Sequence, residues 1–432
     1  MMHKQLTVLV SASILCAVLA VASAPATAQN VNYDLPSAET IQERKDTREN
    51  KAVSDRVGRR IMGAFELYSE QEDVQGAIAE LEDASPRDPF DIAYVNRFLG
   101  NLYAADDKLE KALALTKSAA DADVLGFTDH EAALKLTADL SLQLEKYEQA
   151  INYYGKWLQF TGEYNPDVFL RIANAYYELK QFDKVIKPAD MAIRYYEEPN
   201  KNPYVLKVAS FYERKMYGEA IKVLENGLNV LPGEKVWWNQ LGMMYMLEEQ
   251  VAKALQTLEI AYLAGYFDKE SQYRSLVQLY NNNEIPYKSA SLMEKHLASG
   301  DIKKTARNYQ SAANNYEAAR EYDRAAVMYG EAAKLEEDAE GKAAQYRRQG
   351  TAYLRSENYT RAAEAYRKSI DLGYDDPGPV YMSLAESYFY ANNFSQALTY
   401  IQEAQKYEEQ RRNARSWEQY IRQKAKNRGV SL

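Results

Sequence analysis

One pattern recurs along this chain and constrains its fold more than any other feature. Residues 235–268 carry Trp238-x2-Leu241-Gly242-x2-Tyr245, with Ala254 nine residues beyond Tyr245. On a helix of 3.6 residues per turn, Trp238, Leu241, Gly242 and Tyr245 share one face. Gly242 has no side chain and Ala254 has only a methyl group, so two helices can approach closely where these residues meet. Tyr245 and Leu258 fill the rest of the seam. With Lys235 as position 1, equivalent starts fall near 58, 93, 131, 166, 201, 235, 270, 306, 343 and 378. Position 11 is aromatic in nine of these ten units, from Tyr68 and Tyr103 to Tyr353 and Tyr388, with Ser141 the exception. Position 20 is Ala in eight, and Ser289 there is also small. Position 8 is Gly or Ala in seven, among them Gly100, Ala173, Gly242, Ala313 and Gly350.

A period of about 35 residues with this spacing is similar to the tetratricopeptide repeat, a helix–turn–helix unit. The fold expected is all-α: a right-handed solenoid of about ten such repeats over 58–408. A basic capping helix and tail would follow at 409–432. Each repeat touches only its neighbours, so one continuous core replaces the two or three domains that length alone suggests. The turns agree with this. Phe182, Tyr322, Tyr359 and Phe394 stand at position 17, where each would tuck into the start of its second helix. Pro89, Pro166, Pro232 and Pro377 fall near unit junctions, where proline is tolerated. The many tyrosines recur at positions 4, 11, 17 and 24, and are read as core packing.

The two ends differ from the middle. Residues 1–28 have the form of a cleaved signal peptide: Lys4, an apolar run from Leu6 to Val21, and Ala26-Thr27-Ala28 before Gln29. The run is too short for a comfortable transmembrane helix, so no stable membrane insertion is expected after cleavage. Cys16 is the one cysteine and lies inside the run. Leu15 before it does not fit a lipid-attachment box. Residues 29–57 are polar, and Ser37 is placed to cap a solvated helix leading into the first repeat, with a flexible tether over 29–36 as the alternative for the residues before it. In the C-terminal segment Arg411, Arg412, Arg415, Arg422, Lys424, Lys426 and Arg428 surround a narrow stripe of Ala414, Trp417 and Ile421. Capping of the last repeat is the favoured role for it. A basic arm for an acidic partner is the alternative.

The charge balance of −9 argues against nucleic acid as a partner, because phosphate binding needs a basic face. No catalytic constellation is present, and no metal or cofactor is expected. Of the histidines, His3 lies in the leader. His130 is expected to be exposed near the start of its unit, and His296, at position 27, to be a packing residue. Function is therefore expected in binding a protein or an extended peptide.

Positions 2, 5, 9, 12 and 13 of the first helices would line a concave surface. Two neighbourhoods result. One holds Asn174, Tyr177, Tyr212, Asn239, Met243 and Met246, apolar and adaptable with two amides; packing between successive first helices is the alternative. The other places Arg274, Gln310 and Arg347 at position 5 and Gln278, Asn314 and Thr351 at position 9, with Arg348 and Arg355 nearby. Cations with amides are suited to gripping a carboxylate. Salt bridges to Glu317 and Glu386 are the alternative.

The chain also resembles the periplasmic tetratricopeptide proteins associated with TonB energy-transduction systems of Gram-negative bacteria. The resemblance rests on Trp237 to Tyr245, Leu258 to Tyr262 with Gly265-Tyr266, Glu284 to Ala290, and Ala414 to Ile421. It implies a periplasmic, non-catalytic scaffold that assists TonB-dependent outer-membrane transport, with TonB-complex or transporter components as partners. A scaffold for outer-membrane assembly or polysaccharide export is the alternative role.

Overall fold

The computed structural model describes residues 30–48 and 51–432. The expected signal peptide, residues 1–28, lies outside them. The described residues form twenty-two α-helices, and no strand is found among them. The described residues fall into two compact units that divide between Ser210 and Phe211. In the first are α1 (Ala38–Thr47), α2 (Asp55–Ser69), α3 (Val74–Glu82), α4 (Pro89–Ala105), α5 (Leu109–Ala122), α6 (Phe127–Gln143), α7 (Tyr147–Thr161), α8 (Pro166–Glu178) and α9 (Phe182–Tyr195). Helix α10 (Asn202–Glu213) runs across the boundary. The second unit continues with α11 (Tyr217–Val230), α12 (Lys235–Leu247), α13 (Val251–Leu263), α14 (Glu270–Asn282), α15 (Pro286–Ser299), α16 (Ala306–Ala318) and α17 (Tyr322–Leu335). It ends with α18 (Ala339–Arg355), α19 (Tyr359–Asp371), α20 (Pro377–Tyr390), α21 (Phe394–Ala404) and α22 (Glu408–Asn427). From α2 to α21 the helices alternate as first (A) and second (B) members of ten pairs, the all-α repeat architecture that the 35-residue period predicts.

The seam between A and B helices is built from the small residues. All ten side chains at position 20, from Ala77 through Val185 and Ser289 to Ala397, are fully buried. Position 8 meets position 24 of the same repeat. A Cβ at Gly242 would lie 2.6 Å from the Leu258 side chain, and one at Gly350 would lie 2.7 Å from Tyr366. Glycine at these places lets the bulky partner cross the seam.

The A–B turns share one backbone solution. Position 15 is left-handed in every repeat, with φ of 54–63° at Glu72, Asp107, Glu145, Lys180, Lys215, Glu249, Glu284, Arg320, Glu357 and Asn392. None is glycine, although the left-handed region favours it. In repeats two to ten the N–H of position 16 bonds to the carbonyl of position 11 at 2.8–2.9 Å, the 6→1 bond of a Schellman motif. The position-17 aromatics Phe182, Tyr322, Tyr359 and Phe394 open their B helices. Pro89, Pro166 and Pro377 occupy first positions of A helices, where the missing N–H has no partner to lose.

Three expectations are corrected. In the first repeat, Tyr68 does not enter the seam. Ala64 is the fully buried small residue of α2, while Phe65 and Tyr68 are 59% and 41% exposed. There the N–H of Asp73 reaches the carbonyl of Leu67, so the turn holds one residue more than its counterparts. Second, α1 is largely exposed and capped by Ser37 through the Thr40 N–H, as expected, but it does not lead directly into the first repeat. Residues 30–48 lie instead against the third and fourth repeats, because Val31, Tyr33 and Leu35 have an apolar core to cover. Third, His130 is buried. Its ring packs 4.7 Å from Phe160, and its Nε2 lies 3.2 Å from Asp123. His296 is buried, as its packing position predicts, between Tyr262 and Asp301.

Helix α22 covers the last pair with Ala414, Ile421 and Ala425, and Trp417 meets Phe389 edge-on at 5.7 Å. Arg428 returns to Asn392 of the last repeat, and the other cations are exposed, so the helix gives that repeat a polar outer face.

Candidate binding face

Positions 5, 9 and 12 of the A helices carry the side chains read as ligand-binding, and the structure separates them into distinct environments. In the first unit, on α8, Asn174 and Tyr177 are both half-buried, and the Tyr177 ring lies 5.4 Å from Phe182. In the second unit, α12 presents Met243 and Met246, 45% and 40% exposed, beside exposed Leu247. Asn239 on the same helix is half-buried and donates to its own helix at the Lys235 carbonyl, 3.3 Å. The packing residues of this repeat sit as follows. Leu241, Gly242, Tyr245 and Ala254 are buried, whereas Trp238 is half-buried and donates its indole N–H to the Pro232 carbonyl at 3.0 Å. Trp237, its neighbour, is the tryptophan that enters the core.

On α14, Arg274 and Gln278 are exposed, and each has a partner one turn away. Arg274 pairs with Glu270 at 3.2 Å, and the Gln278 amide donates to Asn282 at 2.7 Å. Exposed i,i+4 pairs of this kind are weak and leave the groups available.

The helices α16 and α18 draw the remaining residues together. Gln345 donates to Gln310 at 2.8 Å and to Glu336 at 2.9 Å, spanning two A helices. The Tyr329 hydroxyl meets both Asn314 at 2.7 Å and Glu317 at 2.8 Å. It has one proton for two acceptors. Burial raises its pKa well above the usual phenol value, and the Glu317 carboxylate adds to this. Glu317 also receives Arg355, which realises the salt bridge considered as an alternative from sequence. Arg347 and Arg348 are both half-buried, and among the described residues neither forms an ion pair with a carboxylate. Arg347 lies 5.4 Å over the Tyr374 ring, and its Nε is buried without a hydrogen-bond partner. Nearby, Tyr366 bonds to Thr351 at 3.0 Å, and burial raises the Glu386 carboxyl.

The α16–α18 face therefore offers two guanidinium groups without a direct ion pair among the described residues, beside amides fixed by a hydrogen-bond ladder. Such a face can take a carboxylate or a peptide backbone. Among the described residues no group of three or more His, Cys, Asp and Glu side chains gathers in a metal-binding arrangement, and no helix is long and apolar enough to cross a membrane. Sequence reasoning missed Gln345 and Tyr329, the two residues that tie this face together. Gln345 is a buried polar side chain on the packed side of an A helix, and that polarity was the available signal.

A second regularity was also missed. Tyrosine at position 11 hydrogen-bonds Glu at position 25 of the preceding repeat: Tyr103 to Glu82, Tyr245 to Glu225, Tyr280 to Glu259 at 2.9 Å, and Tyr316 to Glu294.

No protein-family model matches the chain, and no curated protein matches it. Among solved structures the chain is similar to a tetratricopeptide repeat protein from Parabacteroides merdae. That match has 16% identity and a TM-score of 0.35, over 68% of this chain and 99% of that one. It is similar to the Naa15/Naa10 structure bound to HypK-THB, with 15% identity and a TM-score of 0.46, over 90% of this chain and 61% of that one. It is also similar to YrrB, described as a tetratricopeptide protein with an unusual peptide-binding site. There the identity is 21% and the TM-score 0.34, over 43% of this chain and 90% of that one. The fold of this chain is that of the tetratricopeptide repeat, an all-helical array of A–B pairs.

Proposed function

We propose that this chain is a non-catalytic protein-binding scaffold that holds an extended peptide on the A-helix face of its second unit. The observation that carries this reading is the pair Arg347 and Arg348, left without carboxylate partners beside the Gln310–Gln345 and Asn314–Tyr329 contacts. Guanidinium groups with fixed amides suit a peptide carboxylate. The exposed methionines of α12 suit an adaptable apolar segment. We further propose that it works in the periplasm as an accessory of TonB-dependent outer-membrane transport, with TonB-complex or transporter components as its partners. The leader pattern of residues 1–28 and the sequence resemblance described above support this cellular role.

The test is photo-cross-linking in intact cells from exposed Gln278 and Met243, with identification of the adducts by mass spectrometry. Recovery of TonB, its membrane partners or a TonB-dependent transporter is the expected result. Recovery of assembly or polysaccharide-export proteins instead would replace the transport role with the other scaffold role. In parallel, the double change Arg347→Ala with Arg348→Ala should weaken capture of the recovered partner by roughly 10- to 100-fold, from two charge-assisted contacts. Helical content should be unaltered. Undiminished capture would place the ligand elsewhere.

A further inference from the structure

The repeats accommodate the N-terminal residues at the third and fourth units. Position 25 supplies a glutamate acceptor at four of the nine junctions; at the junction of the third and fourth repeats it is Gly155. Tyr176, at position 11 there, hydrogen-bonds the Val31 backbone instead. A Cβ at residue 155 would stand 3.6 Å from the Val31 side chain, so the longer glutamate would occupy the space of the incoming segment. The link from the second repeat to the third is three residues longer than the usual 35. Its Leu125 carbonyl accepts from Arg48 at 3.0 Å, and its Asp123 pairs with the same guanidinium. At the end of α7, Gly162 has φ +65°, and a Cβ there would lie 2.8 Å from Ile41.

The seat is specific along its length. Val31, Tyr33 and Leu35 alternate as strand residues do and pack on the core, with Tyr33 6.2 Å from Phe169. Gln159 donates to the backbone carbonyls of Asn32 and Asp34 at 2.9 and 3.2 Å. Arg44 returns to the Gln159 carbonyl at 2.9 Å and to that of Phe160, at the C-terminal end of α7. Arg44 and Arg48 both stand over the Phe160 ring, at 5.2 and 4.8 Å.

The seat is also imperfect. The Tyr33 hydroxyl is buried without a hydrogen-bond partner, which weakens the docked state. Open clefts of about 220 Å³ and about 480 Å³ flank the seat, the first between Asn30–Asn32 and α7 and the second among Arg44, Arg48, His130 and Lys156.

We infer that the third and fourth repeats carry a second peptide groove, on the B-helix side, and that residues 30–48 are its resident, displaceable occupant. The ligand class is displayed by the occupant itself. It is an extended segment with apolar residues at alternate positions and a central tyrosine, followed by a short helix bearing two arginines four residues apart. A competing segment of that chemistry would exchange with the resident one without unfolding the repeats.

Hydrogen exchange on the full chain tests this, together with binding of a fluorescein-labelled peptide of sequence 30–48. The amides of residues 38–47 should exchange at least about tenfold faster than those of α7 and α8, as a locally opening segment does. Tyr33→Asp should abolish their protection, leave α7 and α8 protected, and create a site for the labelled peptide that the unaltered chain lacks. Tyr33→Phe removes the orphan hydroxyl and should slow exchange of the segment by roughly fivefold. Arg44→Ala with Arg48→Ala provides a second route to the open state. Loss of protection in α7 and α8 alongside the segment would make it part of the core and overturn the inference. So would failure of the labelled peptide to bind either opened variant, or retention of full protection by both.

Discussion

Glycine at position 8 is a requirement of contact. Gly242 is helical, so its substitution is limited by the Leu258 side chain that already fills its Cβ direction. Gly242→Leu should cost about 2–3 kcal/mol through overpacking, read as a lower denaturant midpoint. A stable, fully helical variant would mean that the seam lies elsewhere. A second residue-scale consequence concerns His130. Burial, and then the Arg48 guanidinium, hold its imidazole well below the ordinary 6.5, at about 4, against the opposing pull of Asp123. The folded-state value is the lower one, so between these limits the unfolded chain binds the proton more readily. The neutral imidazole's contribution is complete above about pH 6.5. It is lost as the pH falls toward 4, by at most about 3 kcal/mol. Urea titrations from pH 7 to 4 should show this slope, and His130→Gln should flatten it.

At the scale of the helix pair, the Tyr–Glu contact between positions 11 and 25 joins four of the repeats to the one before. Glu259 shows its range. It accepts from Tyr280 at 2.9 Å and from Lys288 at 2.6 Å, and these contacts hold its pKa below the ordinary glutamate value. Glu259→Ala should cost about 1–2 kcal/mol by leaving the phenol of buried Tyr280 unpaired. A double-mutant cycle with Tyr280→Phe should recover most of that as coupling. The aromatic at position 11 was legible in the sequence, because apolar periodicity marks the core. Its acceptor was not, since a glutamate on a B helix looks the same whether it faces water or a phenol. The same limit applied to residues 30–48. Their charge suggested a solvated stretch, and the alternation Val31-x-Tyr33-x-Leu35 was too short to stand out. The first repeat misled for another reason. One added turn residue moved Tyr68 out of the seam while α3 kept its register, which a fixed count cannot detect. His130 was misplaced because the longer link before it changed what covers the start of α6.

For the molecule as a whole, net charge and binding chemistry have opposite signs. The chain carries −9 overall, yet α18 displays Arg347 and Arg348 without acidic partners. A ligand that uses them pairs two half-buried charges, so its affinity should fall between 0.05 and 0.5 M salt by about tenfold or more. Apolar contact with Met243 and Met246 should be insensitive to salt, and the two contributions can be separated by titrating Arg347→Ala and Met243→Ala variants in parallel.

The left-handed turn residues have a consequence for digestion. Lys180, Lys215 and Arg320 are exposed cationic sites at the tips of their turns. A trypsin-like protease needs several residues in extended form, and each of these tips is tied at both sides into helix. Cleavage there must wait for a helix end to open. Lys51, in the stretch before α2, is different: like Arg87, Lys303 and Lys304 it is exposed and non-helical. Brief trypsin treatment of the native chain should therefore cut at such sites, Lys51 among them, and spare the three cationic tips. At Lys51 the product would be a nicked pair, with residues ahead of the cut still seated on α7 until something of the same chemistry replaced them.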